Sequence, residues 1–246
     1  MKTVYLQRQD NRFLSVNVQT AYQGFAKRGY VTKGFDSNTL PLVNESSRHE
    51  FIVVGGINAL RKIIQRAGVK APEVHNPHDY LPEYCNRGIY ESTLGIMRGI
   101  VKGKETFKPF FIKPLVEDKT FTGFVVKSNM DLINVMRHSD DMKIMVSEVV
   151  NFISEYRCFV LNHHLLGSKN YTGSFRVLPD FDIVENAIKD YKDQKAAYSI
   201  DFGITDKGKT MLIEINDAFG LSAYGLDPIP YSDMLETRWE QIMRGE

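Results

Sequence analysis

Residues Ala197–Asp227, AYSIDFGITDKGKTMLIEINDAFGLSAYGLD, decide how the rest of the chain is read. Ala197 to Ile204 and Thr210 to Ile215 are rich in β-branched and aromatic residues, and Thr205-Asp206-Lys207-Gly208-Lys209 between them is turn chemistry, so the stretch reads as an antiparallel hairpin. A turn centred near Lys207 sets Asp201 opposite Glu214, and alternation along the strand brings Asn216 to the same face. Two carboxylates and a carboxamide in that pattern suit a hard divalent cation. Magnesium in particular takes one or two carboxylates and completes its shell with substrate phosphates. The alternative is a hairpin with a solvated polar face. Asp201 in SIDFGI and Glu214 in LIEIN both lie inside apolar runs, where an acid is costly unless something pairs with it.

Outside the hairpin, composition excludes more than it identifies. A chain of 246 residues can bury a sizeable core as one large or two small domains. With 31 basic and 30 acidic residues the net charge is +1, so bulk charge does not point to nucleic acid or to a membrane surface. Cys85 and Cys158 form neither a CxxC pair nor a disulfide framework, which fits a reducing compartment. No apolar run reaches the ~20 residues of a membrane helix, and MKTVYLQRQDNR lacks the apolar core of a signal peptide. The expectation is a cytoplasmic protein.

In chain order, residues 1 to about 50 offer an apolar start at Val4-Tyr5-Leu6, a short strand around Phe13 to Val18, and turn-rich sequence after it. Phe51 to Val54 reads as a strand that Gly55-Gly56 turns into a helix with Ile57, Leu60, Ile63, Ile64 and Ala67 on one face, stopped at Gly68. A dinucleotide site is the functional reading of such a glycine turn, but GxGxxG is absent and core packing accounts for the helix. Tyr84 to Lys102 reads as helical, with Ile89, Ile96 and Ile100 as core residues, and a domain boundary is expected near residue 105. Short strands follow at Phe110 to Lys113, Phe124 to Val126 and Lys143 to Val150, with a helix over Asn129 to Arg137. A hairpin turns about Asn162-His163, a helix spans Asp182 to Lys195, and Pro230 to Met243 closes the chain as an amphipathic helix. The intermixture makes the class α+β or mixed α/β.

Several further residues carry chemistry. Lys113 ends an apolar strand, Lys119 lies in a loop that ends at Thr122-Gly123, and each could meet a phosphate; a snorkelling lysine and a solvated loop charge are the plain alternatives. In Val146-Ser147-Glu148-Val149-Val150-Asn151 a strand runs into a connection whose backbone could serve an adenine edge. Glu155 and Arg157 share a strand face, which aims an arginine fork at phosphate or carboxylate, unless the two form a surface ion pair. Neither a Ser-His-Asp nor a Cys-His arrangement stands out. His163-His164 at a hairpin tip reads as solvated.

FFIKP, KTFTGFVV, VSEVVN, EYRCFV, YSIDFGI and LIEINDAFG, in that order over about residues 107–227, resemble the motifs of the ATP-grasp superfamily, and of its small divergent compact members rather than a named biosynthetic ligase. The resemblance implies an α+β fold in which two subdomains grip ATP, preceded by a small α/β domain. Residues 1–105 would supply that domain, 106–150 the nucleotide-gripping subdomain and 151–246 the metal-binding one. It implies that Lys113 contacts the nucleotide phosphates and that Lys119 with Thr122 and Gly123 covers them. Glu148 and the backbone of Val149 and Val150 would hold adenine. Asp201, Glu214 and Asn216 would bind Mg²⁺, and Arg157 would stabilise the transferred phosphoryl group or acyl-phosphate. Lys102 and Lys104 are the candidates for an earlier nucleotide lysine, and Asp217, Ser222 and Tyr224 could line the acceptor pocket or form turns.

The implied activity is ATP-dependent ligation of a small-molecule or peptide carboxylate to an amine or thiol, with ADP and phosphate released. The same grip also serves a kinase, or a nucleotide-binding module without turnover.

Overall fold

The computed structural model describes residues 2–73, 76–103, 106–115 and 121–246. In chain order the elements are β1 (Thr3–Gln9), β2 (Arg12–Phe13), α1 (Val16–Lys27), β3 (Val31–Phe35), β4 (Phe51–Val54), α2 (Ile57–Arg66), α3 (Pro77–Tyr80), α4 (Pro82–Cys85), β5 (Ile89–Thr93), α5 (Leu94–Lys102), β6 (Phe110–Pro114), β7 (Phe124–Val126), β8 (Lys143–Glu148), β9 (Phe152–Leu161), β10 (His164–Gly173), α6 (Phe181–Asp190), β11 (Ala197–Thr205), β12 (Thr210–Asp217) and α7 (Pro228–Arg244). Contacts divide them into two compact units, 1–84 with 153–246, and 85–152.

The larger unit holds two sheets. β1 lies between β3 and β4, parallel to both, and β2 folds back on its end. The second sheet is antiparallel in the order β10-β9-β11-β12. Val4, Leu6, Phe25, Ile52, Leu60 and Ile63 share one core with Phe159, Ala197, Met234 and Trp239. α7 is fixed by a cap at Asp227, which accepts from the Ile229 amide at 3.0 Å, and by the Trp239 indole, which donates to the Phe51 carbonyl at 2.9 Å. The glycine turn after β4 is a packing device. The Gly56 amide donates to the Gln7 side chain at 2.8 Å, and a Cβ at Gly55 would stand 2.5 Å from the same oxygen. Gln7, 4 % exposed, thus takes the place at the start of α2 that a phosphate would need.

The smaller unit is a sheet in the order β5-β8-β6-β7, packed by Leu94, Met97 and Val101 of α5 against Phe110, Ile112, Val126, Ile144 and Val146. This corrects the boundary expected near residue 105. β5 pairs along β8 from Ile89↔Ser147 to Thr93↔Lys143, so residues 85–103 belong with this sheet rather than with the N-terminal segment. The single helix expected over Tyr84 to Lys102 is a short helix, a strand and a second helix. Asn86, at φ 49°, breaks it, and α5 buries Leu94, Met97 and Val101 while Ile96 and Ile100 face solvent. Asn129–Val135 is 3₁₀ rather than α-helical, closed at its start by a Ser128–Asp131 capping box. The segment read as a strand around Phe13 to Val18 runs from the end of β2 into the first turn of α1, which is begun by Ser15, whose hydroxyl accepts from the Val18 amide at 3.4 Å. No helix among the described residues is long and apolar enough to cross a membrane.

Candidate active site

The β11–β12 hairpin forms in the register read from the sequence. Asp201 lies opposite Glu214, Ser199 opposite Asn216, and a bulge follows Asp201. Sheet order places β9 on the other side of β11. Arg157 therefore reaches Asp201: its Nε donates to Oδ1 at 2.9 Å and to Oδ2 at 3.2 Å, and its Nη2 donates to Oδ2 at 2.6 Å. Nη2 also approaches Glu214 Oε1 at 3.4 Å, and that same oxygen accepts from Asn216 Nδ2 at 2.9 Å. The four residues form one connected cluster. Asp201 is fully buried and the Arg157 side chain is 7 % exposed, whereas the Glu214 side chain keeps 36 % of its surface. Burial pushes the Asp201 carboxyl up to about 7, and the Arg157 guanidinium beside it works the other way and keeps it from climbing further. Ser199 Oγ, facing Asn216 across the hairpin, is buried without a hydrogen-bond partner among the described residues.

Aromatic residues close the cluster. The Arg157 guanidinium carbon lies 4.7 Å from the centre of the Tyr224 ring, which stacks on Tyr171 at 5.1 Å and an interplanar angle of 18°. The Tyr171 hydroxyl donates to Glu155 at 2.7 Å, so Glu155 pairs with a tyrosine and not with Arg157. Tyr224 sits in the left-handed region at φ 43°. Of the residues expected to line an acceptor pocket, it is the one at the cluster. Asp217 instead takes three hydrogen bonds from Arg238, and the Ser222 hydroxyl accepts from Asn17 at 3.2 Å. The Tyr171–Tyr224 shelf was not legible in the sequence, because 52 residues of intervening chain separate the two rings.

The other sequence-derived residues that the structure describes lie in the smaller unit. Lys113 is on β6 opposite Met145. Gly123 packs on that strand: a Cβ there would stand 2.4 Å from the Phe111 ring and 3.0 Å from Lys113 Cβ, so its missing side chain serves contact with β6. Thr122 precedes it at the entry to β7. Lys119 lies outside the described residues, as does Lys104, and Lys102 ends α5. Glu148 accepts from Lys108 Nζ at 2.7 Å and from the Gly88 amide at 3.0 Å, contacts that hold its carboxyl below the usual range. The β8 ladder ends at Glu148, and Val149 and Val150 run beyond it.

Residues 84–234 match the family described as ATP-grasp domain, R2K clade family 2. The chain belongs to this ATP-grasp family. No curated protein matches it at a significant level. Among solved structures it is similar to D-alanyl-alanine synthetase A from Vibrio cholerae O1, at 11 % identity and TM-score 0.62 over 100 % of this chain and 99 % of that one. D-cycloserine synthetase DcsG is similar at 9 % identity and TM-score 0.64, with 96 % and 99 % covered. D-alanine–D-alanine ligase from Bacillus anthracis, in a structure complexed with ATP, is similar at 14 % identity and TM-score 0.56, with 98 % and 97 % covered. The α+β fold of the chain is thus the ATP-grasp fold.

An ATP-grasp protein of this kind implies magnesium and ATP. Among the described residues no three His, Cys, Asp or Glu side chains group as a metal site. One carboxylate and one carboxamide, Glu214 and Asn216, do meet at a partly exposed position, which suits an ion that keeps several waters and takes phosphate oxygens. The donor set fits magnesium bound together with a nucleotide.

Proposed function

We propose that the chain is an ATP- and magnesium-dependent ligase that joins a carboxylate to an amine or thiol through an acyl-phosphate. The observation that carries this reading is the Arg157 fork held beside the Glu214–Asn216 pair, in a chain of the ATP-grasp family. Asp201, Glu214 and Asn216 would hold the metal, which would neutralise charge on the phosphate oxygens. Arg157 presents a fixed positive charge to the phosphoryl group in transfer. In the smaller unit Lys113 meets nucleotide phosphate, with Lys119, Thr122 and Gly123 as its cover, and Glu148 orders the backbone of Val149 and Val150 toward an adenine edge. Lys119 enters on sequence alone.

The substrate carboxylate oxygen attacks the γ-phosphorus and ADP departs. The amine or thiol then attacks the acyl carbon, phosphate leaves, and the nucleophile loses a proton to solvent. Little side-chain acid–base chemistry is required, in keeping with a cluster of a cation, a metal pair and aromatic cover. The burial of both cysteines, Cys85 and Cys158, fits a reducing cytoplasm. ADP and phosphate release, measured over a panel of amino acids and short peptides offered as acids with amines or thiols as acceptors, tests the proposal. Release that requires both partners is expected. A stable phosphorylated product formed without any acceptor would make the chain a kinase, and nucleotide binding without release under every pairing would make it a binding module.

A further inference from the structure

Ser199 carries a buried, unpaired hydroxyl on the face of the hairpin where the candidate metal ligands converge. We propose that Ser199 is a positioning residue for the metal site: its Oγ accepts the Asn216 carboxamide N–H when a divalent cation binds, and so holds Asn216 Oδ1 toward the ion. The inference rests on the magnesium reading of the site and deepens it.

Ser199 has no exposed surface, and its Oγ makes no hydrogen bond among the described residues. The strand that carries it is buried along its whole length. A hydroxyl in that position has given up its hydration and gained nothing in return, which is costly unless a partner reaches it in some step of function. The register supplies the partner. Ser199 lies opposite Asn216, Ile200 opposite Ile215 and Asp201 opposite Glu214, and the bulge comes only after Asp201. Alternation therefore sets Ser199 and Asp201 on one face of β11, across from Asn216 and Glu214 on β12. Side chains directly opposed in this way have Cβ atoms about 4.5–5.5 Å apart, within reach of a hydroxyl and a carboxamide.

The carboxamide itself points along β12. Asn216 Nδ2 donates to Glu214 Oε1 at 2.9 Å, and Asn216 Oδ1 makes no hydrogen bond among the described residues. An ionised carboxylate only accepts, so it is the nitrogen of Asn216 that faces Glu214. A cation shared by these two residues must meet an oxygen from each, and an N–H aimed at the carboxylate stands in its way. Binding therefore turns the carboxamide, which brings Oδ1 toward the ion and leaves Nδ2 in need of an acceptor. Arg157 offers only donors, and both Asp201 oxygens already accept from it. Ser199 Oγ is the unspent buried acceptor on this face. Ser199 thus acts through Asn216, as groups behind a metal ligand do when they fix its orientation.

The test measures metal binding directly, with Mn²⁺ in the presence of AMPPNP followed by the loss of the free-ion electron paramagnetic resonance signal. The proteins are full-length wild type, Glu214→Gln, Ser199→Ala, Asn216→Ala and the double variant Ser199→Ala/Asn216→Ala, each also melted without metal or nucleotide. Because the hydroxyl has no partner until the ion arrives, Ser199→Ala should melt above wild type or no more than about 3 °C below it. Its Mn²⁺ affinity should nevertheless fall by about three- to ten-fold. In the Asn216→Ala background the same substitution should change Mn²⁺ affinity no further, because the two residues act as one unit. If Ser199→Ala fails to fold, Ser199→Cys, whose sulfur is a weak acceptor, carries the comparison with the same expected loss. Three results overturn the assignment while Glu214→Gln still weakens Mn²⁺ by at least about ten-fold: Ser199→Ala that binds as wild type does, a loss of equal size in both backgrounds, or a Ser199→Ala melt more than about 3 °C below wild type. Wild-type protein that takes up no Mn²⁺, or Glu214→Gln that binds as wild type does, overturns the magnesium reading itself and this inference with it.

Discussion

Replacing Arg238 by Met should destabilise the larger unit far more than a surface ion pair would. Arg238 is 2 % exposed and the Asp217 side chain 11 %. Its Nε donates to Oδ1 at 2.9 Å and to Oδ2 at 3.0 Å, its Nη2 donates to Oδ2 at 2.7 Å, and its Nη1 donates to Gln241 at 2.7 Å. Asp217 directly follows Asn216 and also caps the next turn by accepting from the Phe219 amide at 3.1 Å, so the pair ties the end of β12 to α7. Met retains the aliphatic volume and removes the charge, which leaves a buried carboxylate with one amide for company. Breaking a buried pair from one side costs about 3–5 kcal/mol. At about 2–4 °C per kcal/mol for a chain of this size, the melting temperature should fall by about 6–20 °C. The double variant Arg238→Met/Asp217→Asn should recover most of that, since no charge is then stranded. Circular dichroism melts of the three proteins decide it. An Arg238→Met melt within about 1 °C of wild type would refute the reasoning, because only a solvent-screened pair is worth that little.

Gly123→Ala should cost about 1–3 kcal/mol, because the new methyl group would stand 2.4 Å from the Phe111 ring and 3.1 Å from the Ile112 carbonyl; a urea titration showing no loss would contradict that close approach. The raised Asp201 carboxyl gives stability a sign. Between its ordinary value of 3.8 and about 7, the folded chain keeps a proton that the unfolded chain has released. The contribution of this group is therefore complete below about pH 4 and lost as pH rises through about 7, with a slope of at most about 1.4 kcal/mol per pH unit. Urea titrations from pH 5 to 8 should show that slope in wild type and not in Asp201→Asn, and equal slopes in the two would contradict it.

Much of the site was legible because it is local. The Thr205–Lys209 turn fixed the hairpin register, and Asp201↔Glu214 followed from it. The β9–β10 hairpin was equally plain, since Asn162 and His163 tolerate the left-handed conformations they adopt at φ 48° and 68°. What failed was long-range. α1 has no broad apolar stripe, since it meets α7 through Gly24, where a Cβ would stand 1.9 Å from the Pro228 carbonyl, and small residues at a close crossing look like a turn in sequence. Ile89 to Thr93 became a strand because β8 pairs with it, a choice made 50 residues away. Arg157 could be aimed at an anion from its strand face, but that the anion is Asp201 depends on β9 and β11 being neighbours, which no spacing reveals.

Calorimetric titration of ATP into wild type and Glu214→Ala, each with and without Mg²⁺, tests most directly the proposed magnesium-dependent nucleotide site on the hairpin. Wild type should bind ATP tightly only with Mg²⁺, and Glu214→Ala should lose that dependence together with most of the affinity. Wild-type protein indifferent to ATP, or magnesium-dependent binding that survives Glu214→Ala, would contradict it.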